Sequence, residues 1–294
     1  MKLTYIANMG TMVEYKNKKI LFDALHQKKY FTHPVSGEVD SIKYKETPKD
    51  VYSDILSAKE PYDDIDIIFI SHYHPDHCSS SMLKDVVKSY AVQNKKLNIV
   101  CDSVTHRKLI RKIYSEPEFD DNIESEVKNN ILTMLKNDVY PVKYKLGEIT
   151  ELFVEGIKIK ALPMVHEGEM FTDTELIAYK IEIEDKNILF AGDAKIDKNN
   201  YGKVEDAQNR VLGDYGDIVR NPEYLIAPFP YVSTLNGVEL LTKVIRPENL
   251  VICHLIDKEE DLHNWTKSTL RYYKRNKEKL SNTIFLGVDN TQLR

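Results

Sequence analysis

A short segment that begins at Ser71 holds three histidines and one aspartate within six positions: His72, His74, Asp76 and His77. The apolar run at residues 65–70 comes directly before it and predicts a buried strand. Open α/β sheets place their chemistry on the loops at the carboxyl ends of such strands. Because divalent transition metals prefer imidazole and carboxylate ligands, the segment predicts a metal site at one edge of a sheet. The alternative is a surface loop that is merely rich in histidine.

Three more ligand-type residues lie far along the chain, and each follows an apolar run that predicts a strand: His166, Asp193 and His254. Taken singly, each has a simpler explanation as a hydrogen-bonded histidine or as a turn aspartate after glycine. Together with the segment at Ser71, they place five of the nine histidines at strand ends of one sheet system. The pattern therefore indicates strand ends that converge on one site.

The apolar pattern elsewhere predicts strands and helices in two unequal halves. Three short strands are predicted within residues 1–23, and a loop without periodicity follows at 24–48. Helices are predicted at residues 50–58, from Ser79 onward, and along the stripe Ile123, Val127, Ile131 and Leu135. Strands dominate after residue 148, and the remaining chain alternates strands with helices.

The chain resembles the metallo-β-lactamase superfamily of metallohydrolases over nearly its whole length. The resemblance rests on the His-x-His-x-Asp-His segment, on the three later ligands in that order, and on residues 19–23, which are similar to the strand that ends in the family's first aspartate, here Asp23. It implies an α/β fold, a four-layer αββα sandwich of two mixed β-sheets flanked by helices. Residues 8–10 and the helices after the first motif resemble the lactonase-like and phospholipase-like branch most closely.

The resemblance also implies two divalent metal ions, with zinc as the default and manganese or iron as alternatives. One ion would be held by His72, His74 and His166. The second would be held by Asp76, His77 and His254, and Asp193 would bridge the two. Asp23 would support the site through hydrogen bonds rather than touch metal.

This ligand set implies hydrolysis. A hydroxide that bridges two ions roughly 3.5–4 Å apart would attack the substrate, and the same ions would polarise its carbonyl or phosphoryl oxygen. Asp76 and Asp193 would be the catalytic side chains. His74 stands where the oxygen-reducing diiron branch of the family carries glutamate, which argues against that branch.

The substrate is less well defined. The loop at residues 24–37 leaves the strand that ends at Asp23, and its length without periodicity indicates a function. Candidate substrate contacts on this loop and after one later strand are His26, Lys28, Lys29, Tyr30, His33 and Tyr231. They favour a small anionic substrate with a phosphodiester, lactone or other carboxylic ester bond. A loop that only covers the sheet edge is the alternative, and a non-catalytic metal-dependent ligand sensor or partner-binding module is the other function class.

Composition bounds the remaining possibilities. At 294 residues with 42% hydrophobic content, the chain can bury a sizeable core, and the lack of repeats or flexible linkers favours one domain over residues 1–294 with a helical insert around 79–140. A net charge of −5 gives no general attraction to nucleic acid or anionic membranes. The sequence has no Gly-x-Gly-x-x-Gly or Walker phosphate loop for a nucleotide cofactor. It does not determine the oligomeric state.

The cysteines and the lack of long apolar runs predict a cytoplasmic protein. Cys78, Cys101 and Cys253 form an odd, scattered set, which favours a reducing compartment. The sequence contains neither a hydrophobic signal segment nor a run of about 18 apolar residues, the length that spans a membrane.

Replacing Lys28 and Lys29 together by alanine is expected to raise KM for an anionic ester, because a lost binding charge weakens ground-state and transition-state binding alike. Steady-state kinetics on an anionic and a neutral ester with the same leaving group measure the effect, and metal content should not change. Equal losses on both substrates, or a loss of thermal stability alone, would mean that the loop is scaffold.

Overall fold

The computed structural model describes residues 1–27, 30–32, 39–115, 125–197, 203–205, 211–257, 259–261, 263–280 and 282–287. Its first half contains β1 (Lys2–Ala7), β2 (Gly10–Tyr15), β3 (Lys18–Phe22), β4 (Tyr30–Thr32), β5 (Val39–Lys43), α1 (Lys49–Leu56), β6 (Ile67–Phe69), α2 (Ser80–Val92), β7 (Asn98–Asp102), α3 (Ser103–Tyr114), α4 (Ser125–Asn137) and β8 (Val139–Val142).

The second half begins with β9 (Thr150–Val154), β10 (Ile157–Met164), a 3-10 turn (Glu169–Phe171), β11 (Leu176–Ile183), β12 (Lys186–Phe190), β13 (Lys203–Glu205) and β14 (Val211–Asp214). It continues with α5 (Gly216–Val219), β15 (Tyr224–Pro228), α6 (Pro230–Ser233), α7 (Leu235–Glu239), a π-helix (Leu240–Ile245), β16 (Asn249–Cys253), α8 (Trp265–Asn276), a second 3-10 turn (Lys277–Lys279) and β17 (Asn282–Phe285).

Each of the two large sheets joins an antiparallel part to a parallel part. The first has the order β1-β2-β3-β6-β7-β8 and is parallel from β3 onward. The second has the order β17-β16-β15-β12-β11-β10-β9, with β12, β15, β16 and β17 parallel and β9 to β12 antiparallel. In the second sheet β10 and β12 therefore run in the same direction, and their carboxyl ends lie at the same edge.

The two sheets pack face to face, and helices cover their outer faces. Aromatic rings fill the interface. The ring centroid of Phe22 lies 5.1 Å from that of Phe69 in the same sheet and 4.6 Å from that of Phe190 in the second sheet. Outside the first sheet, α1 to α4 bury apolar side chains against it, and α5, α6, α8 and the π-helix do the same outside the second. This is the predicted four-layer αββα sandwich, and the prediction is confirmed.

Two hydrogen bonds tie β11 of the second sheet to the end of β6 in the first. The hydroxyl of Tyr179 donates to the carbonyl of Ile70 at 2.8 Å, and the backbone N–H of Ile177 donates to the carbonyl of Ser71 at 2.8 Å. Tyr179 is fully buried. The loop after β6 is therefore fixed to both sheets.

Local sequence signals account for most of these elements. The Ser79 hydroxyl caps α2 by accepting from the N–H of Met82 at 3.3 Å, and in α4 Ile131 and Leu135 are buried as the stripe predicts, whereas Ile123 lies outside the described residues. Residues 24–48, predicted as a loop, contain the paired strands β4 and β5. β4 has only three residues, and in β5 the apolar residues Val39 and Ile42 are three positions apart, so neither strand shows an alternating pattern.

Two other expectations concern the cysteines and membrane-spanning segments. All three cysteines are free and buried. Among the helices that the structure describes, none has the length and apolar character needed to cross a bilayer.

Gly192→Ala is expected to destabilise the fold more than the matched variant Gly156→Ala. Both glycines have a left-handed backbone, with φ of 52° and 79°, so alanine costs about 1–2 kcal/mol at either position. Only at Gly192 would the new methyl group meet another side chain, the Cβ of Ser71 at 2.8 Å, whereas at Gly156 nothing lies within 4 Å. Overpacking should add about 1–3 kcal/mol.

Denaturant unfolding of both variants in the presence of a chelator measures this difference without a contribution from metal binding. Equal losses at the two positions would contradict the close contact between the loops that carry Gly192 and Ser71.

Candidate metal centre

Six of the seven predicted ligands form two compact groups. The first triad is His72, His74 and His166, and the second triad is Asp76, His77 and His254. Within each triad, the potential ligand atoms all lie within 4.8 Å of one another. Each triad takes two members from the loop after β6 in the first sheet and one member from a strand end of the second sheet. Both groups therefore depend on the packing of the two sheets.

Asp193 lies between the triads on the loop after β12. Its Oδ2 is 3.2 Å from Nε2 of His77, 3.6 Å from Nε2 of His254 and 3.8 Å from Nε2 of His166. Its Oδ1 is buried and has no hydrogen-bond partner among the residues that the structure describes. A buried, unpaired carboxylate oxygen is costly, and a cation at this point would satisfy it.

Asp23, at the end of β3, fixes two histidines of the site through hydrogen bonds. Its carboxylate accepts from the N–H of Ser71 at 2.7 Å, from the Ser71 hydroxyl at 2.5 Å, and from Nδ1 of His77 at 2.8 Å. The Ser71 Oγ in turn lies 2.9 Å from Nδ1 of His72, and its own proton is used toward Asp23, so this histidine donates to it. Both imidazoles thus carry a proton on Nδ1 and turn Nε2 toward the site; Nε2 of His72 is an acceptor, whereas Nε2 of His77 lies 3.2 Å from Oδ2 of Asp193.

Asp23, His72 and His77 could also be viewed as a metal-binding group, since their atoms lie equally close together. The hydrogen bonds argue against that view, because the three donors already occupy both oxygens of Asp23. In addition, Asp23 contacts Nδ1 of His77, whereas Asp193 approaches the opposite nitrogen of that ring. Asp23 therefore lies behind the ligands and orients them.

In the first triad, the Nε2 atoms of His166 and His72 lie close together, and a cation would stabilise this contact. Nδ1 of His166 donates to the carbonyl of Glu167 at 2.5 Å, so its Nε2 is the unprotonated nitrogen. This Nε2 lies 3.2 Å from Nε2 of His72, which is also unprotonated by the argument above. Two lone pairs that face each other at this distance repel, and a metal ion between or beside them removes the repulsion. The donor set therefore fits a divalent transition metal.

Asn8 supports the second triad, and its role was not predicted. Its side-chain amide donates to the backbone carbonyl of Asp76 at 2.9 Å and to Oδ2 of the same residue at 3.2 Å. The backbone carbonyl of Asn8 accepts from the backbone N–H of His254 at 3.1 Å. Asn8 is fully buried and has a left-handed backbone with φ of 51°. In the sequence it contributes only to the resemblance of residues 8–10, since an asparagine near a turn is not by itself a sign of a site.

Burial and charge set the protonation of the ligands. Burial lowers the pKa of His72 well below its ordinary value and that of His74 to about 3. For His77 burial acts in the same direction, but Asp193 and Asp76 outweigh it and raise the pKa. The opposite balance holds for Asp76 and Asp193: burial favours their neutral forms, yet His77 outweighs it and both pKa values fall below the ordinary value. The site thus presents ionised Asp76 and Asp193 together with neutral His72 and His74, the forms that bind metal, whereas His77 would release a proton when a metal binds.

Three of the six predicted substrate residues are described by the structure. His26 and Tyr231 are fully buried. His26 has Nε2 3.4 Å from the carbonyl of Ala7, and burial lowers its pKa to about 4; the Tyr231 hydroxyl donates to the carbonyl of Ala194, next to Asp193, at 3.1 Å. Tyr30 begins β4, and the predictions for Lys28, Lys29 and His33 lie outside the described residues.

Comparison with known proteins agrees with the fold. Residues 51–212 match the family described as "Beta-lactamase superfamily domain", a range that includes every predicted ligand except His254. No curated protein matches the chain.

Solved structures extend the comparison to nearly the whole chain. The structure is similar to a possible metal-dependent hydrolase from Veillonella parvula, with 12% identity, a TM-score of 0.52 and 95% coverage of both chains. It is also similar to CmlA, a diiron beta-hydroxylase from Streptomyces venezuelae, with 11% identity and a TM-score of 0.51. That match covers 97% of this chain but spans only 52% of the CmlA chain. At such identities the likeness shows the fold alone.

Asp23→Asn is expected to weaken metal binding about 10–100-fold without emptying the site, because an amide still accepts one of the three hydrogen bonds but no longer fixes both imidazoles. Metal titration against a competing chelator measures this loss. His74→Ala is the comparison, since it removes a ligand from the first triad. If Asp23→Asn lost metal as completely as His74→Ala, Asp23 would be a ligand itself.

Proposed function

We propose that this chain, which belongs to the beta-lactamase superfamily, is a metal-dependent hydrolase that cleaves a phosphodiester, lactone or other carboxylic ester bond in a small substrate. The observation that carries the proposal is the convergence of two triads on Asp193, whose Oδ2 approaches histidines of both. A site of this composition has no structural purpose that apolar packing would not serve better, because unpaired buried polar groups cost stability.

Two ions are supported by the division of the ligands. Each triad offers three atoms, and Asp193 is placed to complete both coordination shells, whereas one tetrahedral ion needs only four ligands in total. The nitrogen and oxygen donors suit zinc best, and manganese or iron would also fit. His72, His74 and His166 would hold the first ion, and the second triad would hold the other.

When bound, such ions supply a water of lowered pKa and a Lewis acid for the substrate's carbonyl or phosphoryl oxygen. Asp76, which Asn8 holds by two hydrogen bonds, is placed to orient the attacking water. The network from Asp23 through Ser71 keeps the imidazoles of His72 and His77 in the tautomer that the ions need. Hydrolysis then adds the hydroxyl of water to the acyl or phosphoryl group and its proton to the leaving alcohol.

Hydrolysis is favoured over the two alternatives. The likeness to a diiron beta-hydroxylase rests on the fold alone. By the family resemblance, the oxygen-reducing diiron branch carries glutamate where this chain has His74, which argues against that branch. A non-catalytic sensor would not need both triads and a shared carboxylate. Turnover of simple esters that depends on added metal separates the hydrolase from the sensor.

That the substrate is anionic stays a prediction, because it rests on Lys28 and Lys29, which lie outside the described residues. A cavity of about 520 Å³ beside the Asp193 loop gives no further support for an anionic substrate. Its charged lining residues are Lys195, Lys243, Glu167, Asp197 and Glu239. This lining has no excess of positive charge. For location, we propose a reducing compartment such as the cytoplasm, because all three cysteines are free.

Asp193→Ala is expected to abolish turnover and to loosen both ions, because it removes a carboxylate whose Oδ2 approaches histidines of both triads. His106→Ala is the matched control, since His106 lies on α3 outside both triads. Elemental analysis of zinc-supplemented protein, with ester hydrolysis before and after chelation, measures both effects.

The unaltered chain should carry close to two ions, one for each triad. A stoichiometry that stays near one would leave a mononuclear hydrolase. Equal metal content and turnover in the two variants would contradict the bridging role of Asp193.

A further inference from the structure

Aromatic rings lead away from the second triad toward the protein surface. The ring of Tyr44 packs edge-on against His254 with centroids 4.7 Å apart, and Phe229 lies 6.5 Å from the same histidine. Trp265 follows at 6.1 Å from Phe229, and the ring of His263 lies 5.4 Å from Trp265. We call Tyr44, Phe229, Trp265 and His263 the aromatic track. It connects a predicted metal ligand with solvent.

The backbone around the track is built to hold these rings beside the ligands. Phe229 directly follows β15, at the same sheet edge as Asp193 and His254. Trp265 is brought back toward His254 by Thr266, whose buried hydroxyl accepts from the N–H of Ile256 at 3.0 Å and donates to its carbonyl at 2.8 Å. Asp261 accepts from the N–H of Trp265 at 2.7 Å and so fixes the start of α8.

Trp265 is the single tryptophan of the chain, and 39% of it is exposed. Isolated exposed apolar residues are common and need no explanation. Trp265 differs from them because it continues a row of rings that starts at a metal ligand. The opposite side of the site is similar, since Phe171 lies 5.1 Å from His74 and 5.2 Å from His166. A polar centre between apolar walls is the arrangement that binds a ligand with one polar group and an apolar body.

We propose that the aromatic track binds the apolar group of the substrate, so that the preferred substrate is an ester with a hydrophobic chain or ring next to the scissile bond. The proposal rests on the proposed hydrolase function, because it places the scissile bond at the two triads. The track adds affinity through burial of apolar surface, about fourfold for each buried methylene. The aromatic track therefore determines the preference for chain length. The two triads do not distinguish esters that differ only in chain length.

The tryptophan allows binding to be measured without catalysis. The metal-loaded protein is titrated with octanoate and with acetate, which share a carboxylate and differ by six methylenes, while the fluorescence of Trp265 is followed. A saturable change is expected with octanoate at concentrations at which acetate has none. Phe229→Ala should weaken the octanoate response about tenfold or more, because it removes the ring between His254 and Trp265. The control is Phe153→Ala on the edge strand β9, where the ring is 75% exposed, and it should change nothing.

Kinetics on p-nitrophenyl octanoate and p-nitrophenyl acetate complete the test, because the leaving group is the same. The ratio of kcat/KM for p-nitrophenyl octanoate to kcat/KM for p-nitrophenyl acetate should exceed one. It should fall about tenfold in Phe229→Ala and Trp265→Ala, mainly because KM for the octanoate ester rises. Phe153→Ala should preserve the ratio.

Two outcomes separate this proposal from the hydrolase itself. If p-nitrophenyl acetate is hydrolysed but p-nitrophenyl octanoate is not preferred, and octanoate gives no fluorescence response, the proposed role of the aromatic track is overturned and the hydrolase function still holds. A saturable, Phe229-dependent octanoate response without turnover of either ester would support the track and count against ester hydrolysis.

Discussion

The site depends on one buried carboxylate. Asp23 is fully buried at the end of β3, and such a group is tolerated only when hydrogen bonds satisfy it. Its three donors come from Ser71 and His77, and through the Ser71 hydroxyl its influence reaches His72. Asp23 therefore determines which ring nitrogen faces the site on one histidine of each triad, His72 in the first and His77 in the second. Gly10 preserves this position, because a Cβ there would lie 3.2 Å from the Asp23 carbonyl and 2.7 Å from that of Ala7.

The sequence predicts the fold, and it predicts that the candidate ligands come together in space, because both follow from local patterns. An apolar run that ends at His166 or His254 marks a strand and its end at the same time, and strand ends of one sheet meet in space. Asn8 could not be predicted in this way, because its function depends on contact with Asp76, 68 positions away. The aromatic track is equally hidden: Tyr44, Phe229 and Trp265 come from three separate connections, and no periodicity links them.

The two sheets share the site in a way that couples metal binding to packing. His72 and His74 reach the first ion position from the first sheet, and His166 completes it from the second. The interface that holds the sheets together includes the rings of Phe22 and Phe190 and the hydrogen bond from Tyr179 to Ile70. Because neither sheet alone supplies a complete triad, an ion bound there would stabilise the packed state over the separated one, and its binding free energy would add to the stability of the fold.

The separation of the ligands along the chain also has a consequence during synthesis. The contact between Asp76 and His254 joins residues 178 positions apart. At a translation rate of about 5–20 residues per second, roughly 10–40 s pass between the emergence of the two. Throughout that interval the nascent chain displays the histidine-rich loop without the partners that complete its coordination. A metal captured then would be held by the loop after β6 alone, and the second triad is complete only after β16 has joined the second sheet.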